Sequence, residues 1–144
     1  MSNVLPCNAQ TQIVTGADQW KSYKEILGRK NIGVVAHQGS LVYPKTHLID
    51  TLLSLNVNIK KVFAPEHGFR GDADAGERVV DQKDPKTGLP ILSLYGSNKK
   101  PSKESLEGIS IMLFDLQDVG VRFYTYLSTL HYVMEACAEN GIPL

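Results

Sequence analysis

The sequence predicts an α/β domain in which helices flank a mainly parallel sheet. Two observations carry this. Short, β-branched runs such as NIGVVAH and IKKVFA are almost wholly apolar, as expected of strands buried on both faces. They alternate with stretches whose apolar residues recur at helical spacing, which is the pattern of βαβ units. At 144 residues with 42% apolar side chains, the chain is long enough for one self-sufficient core, so a single domain spanning 1–144 is expected.

The elements follow in order. Residues 1–17 read as an extended or flexible lead-in. In ADQWKSYKEILGRKN, Asp18 is placed to cap a helix, Trp20, Tyr23 and Leu27 share one face, and Gly28 can end it. NIGVVAH is the first strand. From Thr46 the spacing of Leu48, Ile49, Leu52 and Leu53 predicts a helix, and Ile59 to Ala64 predicts a second strand stopped by Pro65. Between Glu66 and Gly88 glycines and charges dominate without an apolar period, which predicts a long irregular loop of functional type. LPILSLYG then reads as a third strand, SKESLEG as a brief helix begun by Ser102, and Ile109 to Phe114 as a fourth strand. YTYLSTLHYVMEACAENG predicts a long helix with Leu127, Leu130, Met134 and Cys137 inward and Gly141 as its stop. Ile142-Pro143-Leu144 resembles the opening of another strand, so the chain reads as part of a longer one.

Fifteen basic and fifteen acidic residues balance, so the net charge provides no general attraction to nucleic acid or to an anionic membrane. No run of about 18 apolar residues is present to span a bilayer, and the first residues lack the order of a secretory signal. Leu5-Pro6-Cys7 has the cysteine of a lipoprotein site, but Pro6 stands where a small residue is expected. Cys7 and Cys137 lack a metal-ligand spacing and read as unpaired thiols.

In a parallel sheet, ligands bind outside the carboxyl ends of the strands, where loops and helix starts converge. That rule selects His37, Gln38, Gly39 and Ser40 after the first strand. It selects Glu66, His67 and Arg70 after the second, and Asp115, Gln117, Asp118, Arg122, Tyr124 and Tyr126 after the fourth. A carboxyl at Glu66, directly behind Pro65 and an apolar strand, is expected at a half-buried rim where desolvation raises its pKa into the range of a general acid. The plain alternative is a surface carboxylate held by His67 or Arg70. Asp115 and Asp118 can serve as a second carboxylate or can simply close turns. Tyr124 and Tyr126 can stack on a sugar face or belong to the core.

Asp72, Asp74, Glu77 and Asp81 resemble a calcium loop only loosely, since its twelve-residue spacing is missing. His37, His47, His67 and His131 form no paired zinc motif, and His47 and His131 read as ordinary helix residues. GxGxxG, GxxxxGK[ST] and GxSxG are all absent, so neither a nucleotide nor a serine nucleophile is indicated. The residues call for no cofactor and no metal.

Taken as words, FAPEHGFRG, DAGE, DPKTGLPILSLYG, KPSKESLEG and FDLQDVGVRFYTYLSTL run in an order that resembles the exo-β-N-acetylmuramidase (NamZ) family, long grouped as a domain of unknown function. The resemblance spans about Ile32 to Leu144. It implies a Rossmann-like amino-terminal domain, with a smaller carboxy-terminal domain that this chain does not carry. The activity implied is release of N-acetylmuramic acid from the non-reducing ends of peptidoglycan fragments, in bacterial cell-wall recycling. Muramic-acid saccharides are then the ligands, and export to the periplasm or cell exterior, with or without a lipid anchor, is implied. The resemblance makes Glu66 the catalytic carboxylate, with Asp115 and Asp118 beside it. His67, Arg70, Gln117, Arg122 and Tyr124 become substrate contacts, and the strand-end rule adds His37 to them. One departure stands out: the family has an Asn-containing word after the first strand, where this chain has Ala36-His37-Gln38-Gly39-Ser40. With the closing domain absent, weak binding or inactivity is expected of the isolated chain.

Overall fold

In a computed structural model describing residues 13–65, 69–70 and 82–144, five strands form one sheet in the order β5-β6-β4-β1-β7. These are β1 (Ile32–Ala36), β4 (Ile59–Ala64), β5 (Gln82–Lys83), β6 (Pro90–Ser93) and β7 (Ile111–Asp115). The pairs β1–β4, β1–β7 and β4–β6 are parallel, and only the edge strand β5 runs antiparallel, against β6. A two-stranded hairpin, β2 (Leu41–Val42) and β3 (Thr46–His47), projects beyond β1.

Alternation along the strands sends side chains to two cores. Ile32, Val34 and Ala36 of β1 join Val62 and Ala64 of β4 on one face, beneath α1 (Trp20–Leu27) and α2 (Leu48–Ser54). Val35, Phe63 and Met112 point the other way, against Val133, Ala136 and Cys137 of α3 (Tyr126–Glu139). The result is the three-layer, Rossmann-like α/β arrangement that the apolar runs imply. Each fully buried Val, Ile or Phe contributes about 1.5–3 kcal/mol relative to exposure, so the central strands of the sheet are its most firmly held part. Among the described residues no helix is long and apolar enough to cross a membrane.

Several local expectations are corrected. Asp18 does not cap α1; Gln19 precedes that helix without a side-chain cap. The Asp18 carboxylate instead accepts the Thr15 N–H at 3.1 Å and the Tyr43 N–H at 2.6 Å, tying the chain before α1 to the hairpin. Gly28 ends α1 as expected, at φ +51°, with its N–H donating to Lys24 O at 3.0 Å. Thr46 and His47 belong to the hairpin, and α2 starts only at Leu48, with His47 as its cap. The loop expected from Glu66 to Gly88 is not irregular throughout, since β5 lies within it.

SKESLEG forms successive turns and no helix. The carbonyls of Glu104, Ser105 and Glu107 are gathered by Lys61 Nζ, at 3.4, 2.8 and 3.1 Å. In α3 the inward face is Tyr126, Thr129, Val133, Ala136 and Cys137, so Cys137 is the only one of the four expected inward residues that is buried. Leu127 and Met134 are 68% and 54% exposed. Cys137 is a free, buried thiol.

Candidate functional site

The strand order brings His37, Asp115 and Gln117 of the expected residues together. Because β4, β1 and β7 are neighbours, their carboxyl ends form one edge, and the register pairs Ala36 with Asp115. His37, directly after Ala36, and Asp115 therefore project from adjacent strands. Ser40 ties them: its hydroxyl accepts the His37 N–H at 3.1 Å and donates to Asp115 O at 2.6 Å. Gln117 completes the group, its amide N donating to Asp115 Oδ1 at 3.4 Å.

His37 is 7% exposed, and its ring stacks on Tyr126 with centroids 5.1 Å apart. Tyr124 meets Tyr126 edge-on at 5.3 Å. The Gly39 N–H donates to His37 Nδ1 at 2.9 Å, so in the neutral ring the proton sits on Nε2. Burial lowers the imidazole pKa below its ordinary value, against the opposing pull of Asp115, Gln117 and Gln38, which keeps the ring neutral near pH 7. At Asp115 burial acts in the other direction and raises the carboxyl above the usual carboxylate range. His37 Nε2 and Asp115 Oδ2 are buried and have no hydrogen-bond partner among the described residues. Two unsatisfied polar atoms on adjacent strand ends are uncommon in a folded interior and require an explanation.

A second histidine supports the first. His47 Nδ1 accepts the Ile49 N–H at 3.2 Å, so its Nε2 carries the proton toward His37 O, 3.0 Å away. The ring is buried edge-on against Phe69 at 4.7 Å, and burial lowers its pKa. His47 therefore caps α2 and fixes the end of β1 at once, a role beyond that of an ordinary helix residue.

Arg70 is placed elsewhere. Its Nε and Nη2 make a bidentate pair with Asp84, at 2.8 and 2.7 Å, and Nη2 also reaches Asp50 at 3.2 Å. Lys86 holds the other Asp50 oxygen at 2.6 Å, and the Thr87 hydroxyl donates to Asp84 at 2.5 Å. The Arg70 guanidinium is thus committed to protein carboxylates and holds the Asp84 carboxyl down at about 2. Asp50 and Asp84 were not among the sequence candidates. The only local signal was the turn-forming Asp-Pro of DPKTG, where the Gly88 N–H closes onto Asp84 O at 2.8 Å.

Asp118 is exposed and accepts the Gly120 N–H at 2.7 Å, closing its own turn. Arg122 is exposed in the following turn and makes no hydrogen bond or ion pair among the described residues. Glu66 and His67 lie outside the described residues, as do Cys7, Asp72, Asp74, Glu77 and Asp81. Chain connectivity nevertheless starts the PEHG word at Pro65, immediately after β4. A cleft of about 190 Å³, lined by Leu94, Tyr95, Lys99, Thr125, Thr129 and Tyr132, opens between the end of β6 and the first turns of α3, and none of His37, Asp115 and Gln117 lines it. Among the described residues no three His, Cys, Asp or Glu side chains form a metal-holding group.

This chain is similar to proteins of known name. It is 44% identical over 134 residues to the peptidoglycan beta-N-acetylmuramidase NamZ of Bacillus subtilis (strain 168), covering 92% of this chain and 32% of that protein. Two crystal structures of DUF1343 family proteins from Bacteroides fragilis NCTC 9343 share the fold, each with a TM-score of 0.75. One is 37% identical and covers 85% of this chain and 30% of its own; for the other the figures are 43%, 90% and 32%. The chain thus spans about a third of the length of these relatives. Residues 32–144, most of the chain, match the family described as exo-beta-N-acetylmuramidase NamZ, N-terminal, and the chain belongs to that family.

Proposed function

We propose that this chain is the part of an exo-acting β-N-acetylmuramidase that supplies the general acid and much of the sugar site, releasing N-acetylmuramic acid from the non-reducing ends of peptidoglycan fragments. The observation that carries the reading is the strand order. It sets Pro65, which follows β4, at the same sheet edge as the His37 and Asp115 ends of β1 and β7, the edge at which a parallel sheet receives its ligand. Family membership supplies the reaction class.

In this reading Glu66 protonates the glycosidic oxygen as the bond to the anomeric carbon breaks, and a second carboxylate stabilises the oxocarbenium-like transition state. Asp115 fits the second role better than Asp118. It is partly buried with one oxygen unpartnered, whereas Asp118 is occupied in its turn. It acts either as nucleophile or by orienting the 2-acetamido group of the substrate. With Arg70 committed to Asp84 and Asp50, Arg122 is the guanidinium for the lactyl carboxylate that distinguishes muramic acid, since it offers a bidentate match. A peptidoglycan substrate implies an exported protein.

The test is release of N-acetylmuramic acid from a chromogenic muramide by full-length protein and by its Glu66→Gln variant. Turnover that falls by roughly a thousandfold or more in the variant is expected, because a positioned acid and its field act together. Undiminished turnover by the variant removes Glu66 from the mechanism. Sugar binding without turnover in the unaltered protein makes this a non-catalytic recognition module.

A further inference from the structure

Two buried polar atoms at the candidate site have complementary chemistry. The Gly39 N–H occupies His37 Nδ1, which leaves His37 Nε2 as an N–H donor without an acceptor among the described residues. On the adjacent strand, Asp115 Oδ2 is an acceptor without a donor, while Oδ1 is approached by the Gln117 amide. Both residues are fixed: Ser40 bridges the His37 backbone to Asp115 O, and His47 holds His37 O. An immobilised donor and acceptor on neighbouring strands match a ligand that presents an acceptor and a donor on separate atoms. Leaving either atom unsatisfied on folding costs about 1–3 kcal/mol, a cost that a bound ligand would offset.

We propose that His37 Nε2 and Asp115 Oδ2 form the subsite for a secondary amide, the 2-acetamido group of the bound sugar. The imidazole N–H donates to the amide carbonyl, and the carboxylate accepts the amide N–H. The proposal rests on the muramidase reading above and selects, from its two roles for Asp115, the one that orients the acetamido group. A sugar hydroxyl could also bond to both atoms, but the surroundings favour the amide. The Tyr126 ring stacked on His37 and the Tyr124 ring edge-on to it provide an apolar wall suited to the acetyl methyl.

The test compares two chromogenic substrates in full-length protein, a 2-acetamido muramide and its counterpart with a 2-hydroxyl. His37→Phe and Asp115→Ala should each lower kcat/KM for the acetamido substrate by roughly ten- to a hundredfold, as expected for one lost buried hydrogen bond. The ratio of kcat/KM for the acetamido over the hydroxyl substrate should fall in each variant, and His37→Gln, which keeps a donor, should recover part of that ratio. Equal losses on both substrates overturn the proposal while leaving the muramidase reading intact.

Should a variant fail to fold, calorimetry on the unaltered protein decides. N-acetylmuramic acid should bind at least roughly tenfold more tightly than its counterpart with a 2-hydroxyl, and equal affinities contradict the subsite. No binding or turnover of any muramic sugar overturns the muramidase reading itself, and this proposal with it.

Discussion

Gly39 is where the backbone comes closest to the chemistry. A Cβ at this position would lie 2.5 Å from His37 Cε1 and 3.1 Å from Gln117 Oε1, so any side chain must push the imidazole off its stack on Tyr126. Gly39→Ala should therefore cost both turnover and stability. We expect about a hundredfold loss of kcat/KM, the scale of an ångström-sized misplacement, with about 1–2 kcal/mol of overpacking. Full-length kinetics together with thermal unfolding check this, and wild-type turnover in the variant would separate the His37 ring from catalysis. His37, Asp115 and Gln117 are legible in the sequence because each lies at or just past the end of an apolar strand, and strand ends are where sites form. Ser40 stood in the same stretch, but its bridging role was not legible: bonding both to His37 N and to Asp115 O depends on the β1–β7 register, which no local pattern encodes.

Among the elements, the Arg70–Asp84 pair joins the segment after β4 to the turn between β5 and β6, and Asp50 adds α2 to the same network. Asp84 is 1% exposed, so solvent screens the pair little. Its folded pKa of about 2 lies below the unfolded value of 3.8, so its stabilisation is complete above that value and is lost as pH falls toward 2. The linkage is worth about 2–3 kcal/mol at neutral pH. Asp84→Asn should lose that amount at pH 7, and the gap to wild type should narrow steadily by pH 3 in denaturant titrations. A gap independent of pH would mean the loss comes from packing and not from charge. Two more elements show why sequence ran out. The β2–β3 hairpin has strands of two residues, too short for any period to register. In α3 two apolar stripes both fit helical spacing, and only packing against Phe63 and Met112 chose Val133 over Leu130 and Met134.

At the scale of the whole molecule, the sheet order unites strand ends that are far apart in sequence, Ala36 lying opposite Asp115. The alternation of apolar runs and helical periods made this arrangement legible, since parallel strands with crossover helices leave few topologies open. The free side of β7 is not bare: Met112 N donates to Pro143 O at 2.8 Å, consistent with the strand opening expected at Ile142-Pro143-Leu144. His37 and His47, both buried and held neutral, set a stability limit on the acid side. Their folded pKa values lie below the unfolded value of 6.5, so folding stability should begin to fall as pH drops past it. The most direct test of the account is a crystal structure of full-length protein with N-acetylmuramic acid bound. The sugar should lie at the carboxyl ends of β1, β4 and β7, with its acetamido group between His37 and Asp115 and its lactyl carboxylate on Arg122. A sugar bound away from that edge, with His37 and Asp115 satisfied by water alone, would contradict it.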